Sequence, residues 1–300
     1  MNKKILIIGS EGFIGKNAVA FFSRIGYNVF GADILDNSKR NYFKVGEEST
    51  CFNSIFSEDK FNICINVSGA ANVSKSITEP YFDFNLNVVN VVKILEAIRL
   101  YNPDCKFINF SSAAVYGNPT ILPIKEDSLI SPISPYGFHK FYSENILKEY
   151  NEIFKIQTLS LRVFSVYGEG LRKQLFWDLF NKFQNVSKNE VVLSGNGSES
   201  RDFIYIQDLL RVVILIIDNI KFEGQKINIA NGEATQISEA VSLFGNLFDP
   251  NVRIRYNNEI REGDPKNWKA DISVLKELGY KPDFTLKMGL QNYIKWLTND

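Results

Sequence analysis

The chain opens with an apolar run, KKILII (3–8), meets a glycine-rich turn, and resumes with apolar residues at helical spacing over 13–25. The same alternation recurs. YNVFGA (27–32), ICINV (63–67), CKFINFSS (105–112) and IQTLSLRV (156–163) read as buried strands. Pro80 opens a long helix to about residue 100, with Asn87 on it, and Pro135 opens another to about residue 154. Strand alternating with helix predicts an α/β fold built on a doubly wound parallel sheet. After SVYGEG (165–170) the pattern changes. It predicts an aromatic-rich helix over 174–185, short strands at 191–193 and 201–206, an apolar helix over 208–218 and a strand at 226–229. A helix over 238–248, a strand at 252–256 and a terminal helix over 286–297 complete it. We expect one domain over 1–168, with part of 202–230 returning to it, and a smaller, interleaved α/β domain mainly over 169–300.

Composition narrows the field by exclusion. At 300 residues, with 45% hydrophobic and 23% charged, the chain has the make-up of a globular protein. Lys+Arg and Asp+Glu both count 34, so a broad nucleic-acid footprint is not expected. The three cysteines, Cys51, Cys64 and Cys105, lie far apart and there is one histidine, which argues against a Cys/His metal site. The apolar runs at 3–8 and 212–220 are too short to span a bilayer. The expectation is a cytoplasmic protein with no metal and no membrane partner.

Three groups of residues carry candidate chemistry. Gly9, Gly12 and Gly15, spaced GxxGxxG between a strand and a helix, suit a tight turn, close approach of a pyrophosphate, and a helix N-terminus aimed at phosphate. This is the arrangement of a Rossmann-type dinucleotide site. Asp33 ends the second strand, placed to accept from an adenosine ribose hydroxyl and to repel a 2′-phosphate, which favours NAD, with NADP as the alternative. Lys39 and Arg40 follow it as solvated loop charges. Small residues from Ser68 onward suit a backbone that hugs the dinucleotide. Finally, Ser112 ends a strand, and Tyr136 and Lys140 stand four apart just inside the helix that Pro135 opens, sharing a face. An ammonium there lowers a phenol toward working pH, making Tyr136 an acid/base with Ser112 donating to the same substrate oxygen.

Taken together, GSEGFIG, SSAAVYG, YGFHK, LRVFSVYGEG, GNGSESRDFIYIQDL and REGDPKNWKAD followed by LGYKP resemble, in order and nearly end to end, the extended short-chain dehydrogenase/reductase family in its nucleotide-sugar epimerase and dehydratase branch. The resemblance implies a cofactor loop of Gly9, Gly12, Phe13, Ile14 and Gly15, with Asp33, Asn53, Ser68, Asn87, Tyr136 and Lys140 also on the dinucleotide. It implies Tyr136 as acid/base at the sugar O4, Lys140 on the nicotinamide ribose, and Ser112 as the O4 partner. Arg201 and Arg261 match arginines that clamp a substrate diphosphate, a task suited to bidentate guanidinium. Trp268 matches a position that limits the sugar pocket. Ser165 stands where the family has Asn, and Asn53 where it has an acidic residue near adenine. His139 takes a place usually small, and is expected on the helix surface or at a dimer interface. The resemblance also implies a homodimer through the helices starting near Pro80 and Pro135.

Within the family, dehydratases carry an acid/base pair where this chain has Ala113-Ala114, and decarboxylases carry Glu there. Both reactions are disfavoured. The resemblance therefore implies an NAD-dependent 4-epimerase of a nucleotide-diphosphate hexose. The alternative is an NAD(P)H-dependent 4-ketoreductase of a 4-keto-6-deoxyhexose nucleotide, and behind it a non-catalytic dinucleotide sensor. The bulk of Trp268 hints at a sugar without an N-acetyl group.

Overall fold

In the computed structural model, which describes residues 3–38, 40–46, 51–185, 190–259 and 266–299, strand and helix alternate as the hydropathy pattern requires. In chain order the elements are β1 (Lys4–Ile8), α1 (Phe13–Arg24), β2 (Asn28–Asp33), β3 (Tyr42–Lys44), α2 (Asn53–Glu58), β4 (Ile63–Asn66), α3 (Val73–Thr78) and α4 (Pro80–Phe84). A π-helical turn (Asn85–Val89) leads into α5 (Asn90–Tyr101), then β5 (Lys106–Ser112), a 3-10 turn (Ala113–Tyr116), α6 (Pro135–Phe154), β6 (Thr158–Val163) and β7 (Ser165–Tyr167). There follow α7 (Gln174–Gln184), β8 (Glu190–Leu193), β9 (Ser200–Tyr205), α8 (Ile206–Asn219), β10 (Lys226–Ile229), β11 (Ala234–Gln236), α9 (Ile237–Phe248), β12 (Arg253–Tyr256), α10 (Ser273–Glu277) and α11 (Leu286–Asn299).

The chain divides into two compact units. The first comprises Met1–Gly117, Glu126–Val163 and Ile216–Asn228. Its sheet has the order β10-β6-β5-β4-β1-β2-β3, and the pairs from β3 through to β6 are parallel. Strands such as β4 and β6 are buried along their whole length, as a parallel sheet covered by helices demands. Between β1 and β4 the strand order reverses. That crevice at the carboxyl ends is where open α/β sheets bind ligands. Leu6, Phe30, Phe56, Ile94, Leu95, Phe107 and Leu147 fill one side of the core. Each such side chain contributes about 1.5–3 kcal/mol by leaving water.

The second unit comprises Asn118–Lys125, Phe164–Leu215 and Ile229–Asp300. It holds a three-stranded sheet, β11-β9-β7, and a two-stranded one, β12-β8. Its core is aromatic. Phe176 packs on Tyr167, Phe203 and Phe244, and Phe183 and Phe248 continue the cluster. β7, β11, β3, α2 and α3 went unpredicted, being too short to show a period.

Candidate active site

β1 ends at Ile8 and the chain turns through Gly9, whose φ of +86° suits glycine. A Cβ there would stand 2.7 Å from the Ser68 nitrogen, and one at Gly15 would run into the Gly9 carbonyl oxygen. These two glycines let the turn, the helix and the end of β4 close on one another. Gly12 does something else. It is exposed and N-caps α1 without a side-chain hydrogen bond, and α1 has no acidic residue in its first turn. Phe13 and Ile14 therefore begin a helix whose positive end is open to an anion. In the same loop Ser10 Oγ is buried without a hydrogen-bond partner.

Asp33 closes β2 and accepts from the Glu11 N–H at 2.8 Å and the Leu35 N–H at 3.3 Å. Burial, then the charges of Asp33, Glu11 and Asp36, push the neighbouring Tyr42 hydroxyl up to about 12. A 2′-phosphate entering that negative field would be repelled, whereas a ribose hydroxyl could donate to Asp33. Arg40 is exposed nearby, and Lys39 lies outside the described residues. Asn53 begins α2, half-buried. Glycines, open helix end and Asp33 together fit a dinucleotide.

A chain of hydrogen bonds runs from the end of β4 to α6. Ser68 Oγ donates to Asn66 Oδ1 at 2.6 Å, Asn66 Nδ2 to Asn109 Oδ1 at 2.8 Å, and Asn109 Nδ2 to Ser143 Oγ at 3.3 Å. Ser143 Oγ donates in turn to the Lys140 carbonyl at 2.7 Å. Asn66 and Asn109 are register partners on β4 and β5, both buried. Sequence reading missed them, though a polar residue at the end of one buried strand (Asn66 on β4) and midway along the next (Asn109 on β5) was a visible signal.

α6 starts where Ser134 caps the Gly137 N–H and Ser76 accepts from the Tyr136 N–H. Its inner face is polar. Lys140 is buried, its Nζ donating to the Phe110 carbonyl at 2.9 Å and standing 5.8 Å from the Tyr136 ring centre. Ser112 stands close enough to the Tyr136 hydroxyl to pull its ionisation down, and its Oγ accepts from the Ala114 N–H at 3.2 Å. So the structure brings Ser112, Tyr136 and Lys140 together. The expected lowering of the phenol by the ammonium is not what the chain itself produces. Burial pushes the Tyr136 hydroxyl up to about 12, with Ser112 pulling it down and the Asp83 charge adding to the rise. Deeper along α6, Glu144 and Arg162 form a fully buried bidentate pair at 2.9 and 2.7 Å, which Ser111 and Tyr116 also join.

The long helix predicted from Pro80 is broken by the π turn Asn85–Val89, a feature common at functional sites. Asn87 lies at its centre, buried, with Nδ2 donating to the Ala70 carbonyl at 3.2 Å and to Asp83 Oδ1 at 3.1 Å. His139 is expected on the helix surface or at a dimer interface. It is 8% exposed instead, with Nδ1 2.6 Å from Asp83 Oδ1 and its ring edge-on to Phe84.

In the second unit, Ser165 pairs with Phe203 across β7 and β9. Arg201 donates to the Ser200 carbonyl at 2.9 Å and the Lys266 carbonyl at 3.3 Å, with its guanidinium 5.7 Å from the Trp268 ring centre. Trp268 also packs edge-on to Phe164 at 5.8 Å. Arg201 and Trp268 thus adjoin, and Arg261 lies outside the described residues. Among the described residues no cluster of His, Cys, Asp or Glu could hold a metal, and no helix is long and apolar enough to cross a membrane.

Comparison with known proteins places this geometry. A putative UDP-glucose 4-epimerase of Methanocaldococcus jannaschii is 28% identical over 307 residues, covering 99% of both chains. Among solved structures, UDP-glucose 4-epimerase from Thermotoga maritima with UDP-glucose is 26% identical, with a TM-score of 0.89 and 99% of both chains covered. UDP-glucuronic acid 4-epimerase from Bacillus cereus, in complex with UDP-glucuronic acid and NAD, is 25% identical with a TM-score of 0.88 and the same coverage. The profile of the NAD dependent epimerase/dehydratase family matches residues 5–230, most of the chain, and the protein belongs to that family.

Proposed function

We propose that the protein is an NAD-dependent 4-epimerase of a UDP-hexose, with Tyr136 as its acid/base. The observation that carries the reading is the Ser112–Tyr136–Lys140 cluster beside a turn that offers only Ala113 and Ala114 where water expulsion or decarboxylation would need a carboxylate. The relatives named as 4-epimerases support it. The first unit would hold the dinucleotide, through the glycine loop, Asp33, Asn53, Ser68, Asn87 and Lys140. The second would hold the nucleotide sugar, with Arg201 and Arg261 on the diphosphate and Ser165 nearby. Trp268, fixed between Phe164 and Arg201, would bound the sugar pocket and favour a hexose without an N-acetyl group.

NAD, held by the glycine loop, Asp33 and Lys140, would supply reversible hydride chemistry at C4 when bound. The chain's own part is proton transfer and orientation. Tyr136 takes the O4 proton as C4 is oxidised and gives it back after the sugar turns, while Ser112 donates to the same oxygen. Lys140, anchored on the Phe110 carbonyl, holds positive charge near the phenol and favours its ionised form. We also propose a homodimer through the helices that start near Pro80 and Pro135.

The test is to incubate the purified protein with UDP-glucose, UDP-glucuronate and UDP-N-acetylglucosamine and to resolve the products by chromatography. The C4 epimer of one or both of the first two, formed without net NADH, is the expected result. Turnover seen only with added NADH or NADPH and a 4-keto sugar nucleotide would replace the epimerase with a reductase.

A further inference from the structure

The chain's one histidine lies in the catalytic helix, at the fourth place of YGFHK, and it is buried. A buried imidazole must find partners for its nitrogens, and this one reaches Asp83 on α4 at 2.6 Å. The acceptor it meets is already in use, since Asp83 Oδ1 also accepts from Asn87 Nδ2 at 3.1 Å. An oxygen accepting from an amide on one side and facing Nδ1 on the other requires the hydrogen on Nδ1. One carboxylate oxygen therefore ties two elements together: α6, one turn from Tyr136 and adjoining Lys140, and the π turn that carries Asn87. The tie closes further because Asn87 Nδ2 also holds the Ala70 carbonyl, and Gly69 has no side chain where a Cβ would come 2.5 Å from Asn87 Oδ1. Asp83 and Asn87 are each 2% exposed, so the strut is shielded from solvent. The groups facing the imidazole are Asp83 and Phe84 from α4, and Tyr142 on its own helix.

We propose that His139 is a positioning residue: through Asp83 it fixes the Tyr136–Lys140 face of α6 against the π turn and sets the placement of the acid/base. The role rests on the catalytic reading above, but the strut itself does not need turnover to be seen. With a single histidine, ¹⁵N-labelled imidazole gives one assignable set of signals in the NAD-loaded protein. The expected pattern is Nδ1 bearing hydrogen, lost in Asp83→Ala. In kinetics, His139→Ala is expected to lower kcat about tenfold to a hundredfold with KM for the sugar nucleotide changed by no more than about twofold. His139→Asn places an amide N–H near the Nδ1 position and should recover most of kcat, whereas His139→Gln reaches the wrong point and should not. Should His139→Ala fail to fold, the Asn and Gln pair decides the matter. A bare Nδ1 in the wild-type protein, or equal rates for the Asn and Gln variants, would overturn the proposal. A protein inactive on every UDP-sugar would instead sink the epimerase reading, with the imidazole signals still judging the strut.

Discussion

The Tyr136 hydroxyl is pushed up to about 12, chiefly by burial, so the proposed base would need positive charge beside it to work near neutral pH. Tyr136→Phe should leave the packing and the Lys140 anchor intact and remove only the hydroxyl proposed to carry the proton. Turnover should fall by about 10²- to 10⁴-fold while the dinucleotide released on denaturation stays unchanged. Full retention of turnover would end the assignment. Lys140→Met tests the electrostatics. Removing the ammonium disfavours the phenolate, so the rise of kcat/KM with pH should move to higher pH than in the parent enzyme. The closeness of Tyr136 and Lys140 was legible from the chain because they are local neighbours on one helix. Asp83, Asn66 and Asn109 were not, because each acts on the site across the fold from a segment that reads as ordinary core.

Within α6 the buried face is built from polar groups that satisfy one another, and the Glu144–Arg162 pair is its anchor on β6. Breaking such a pair on one side leaves a charge without a partner in a dry interior. Arg162→Met alone should therefore destabilise by about 3–5 kcal/mol in urea unfolding, and adding Glu144→Leu should recover a large part of the loss. A double variant no better than the single would mean the cost came from lost packing. Tyr150 of α6 also donates to Glu96 of α5, which Arg99 grips bidentately, and these hydrogen bonds hold Glu96 down to about 2. A carboxyl held below its unfolded value near 4.5 adds stability that is whole above that pH and is lost as pH falls through about 2. Glu96→Gln should thus lower the unfolding midpoint more at pH 6 than at pH 3. The longer helices, α6 among them, were plain in the sequence because apolar spacing and caps are local signals. The π turn at Asn85–Val89 was invisible, since the residues that form it are ordinary helix formers and the extra residue answers to tertiary contacts of Asn87 and Asp83.

At the scale of the whole molecule, the doubly wound parallel sheet followed from repeated strand–helix alternation, whereas the short strands and helices did not announce themselves. Assembly is where the sequence expectation meets an observable surface. α6 leaves Phe138 and Tyr142 exposed one turn apart with their rings 6.3 Å from each other, and Ile153 and Phe154 are exposed at its far end. Tyr81 on α4 and Leu100 on α5 are exposed as well. Large apolar side chains gathered on neighbouring helices make a poor face for water, and a stable interface between copies needs upwards of about 1,000 Å². The proposed homodimer would place its two-fold contact along this row of α6, with Phe138 and Tyr142 of each copy against the same face of the other. Sedimentation equilibrium at micromolar concentration should return twice the 34.2 kDa of the chain. Phe138→Glu with Tyr142→Glu puts like charges at that contact and should return the monomer. Both side chains point away from the buried Lys140 face, so a folded monomer should keep its bound dinucleotide. A wild-type chain that sediments as a monomer would show that this apolar row serves some other purpose.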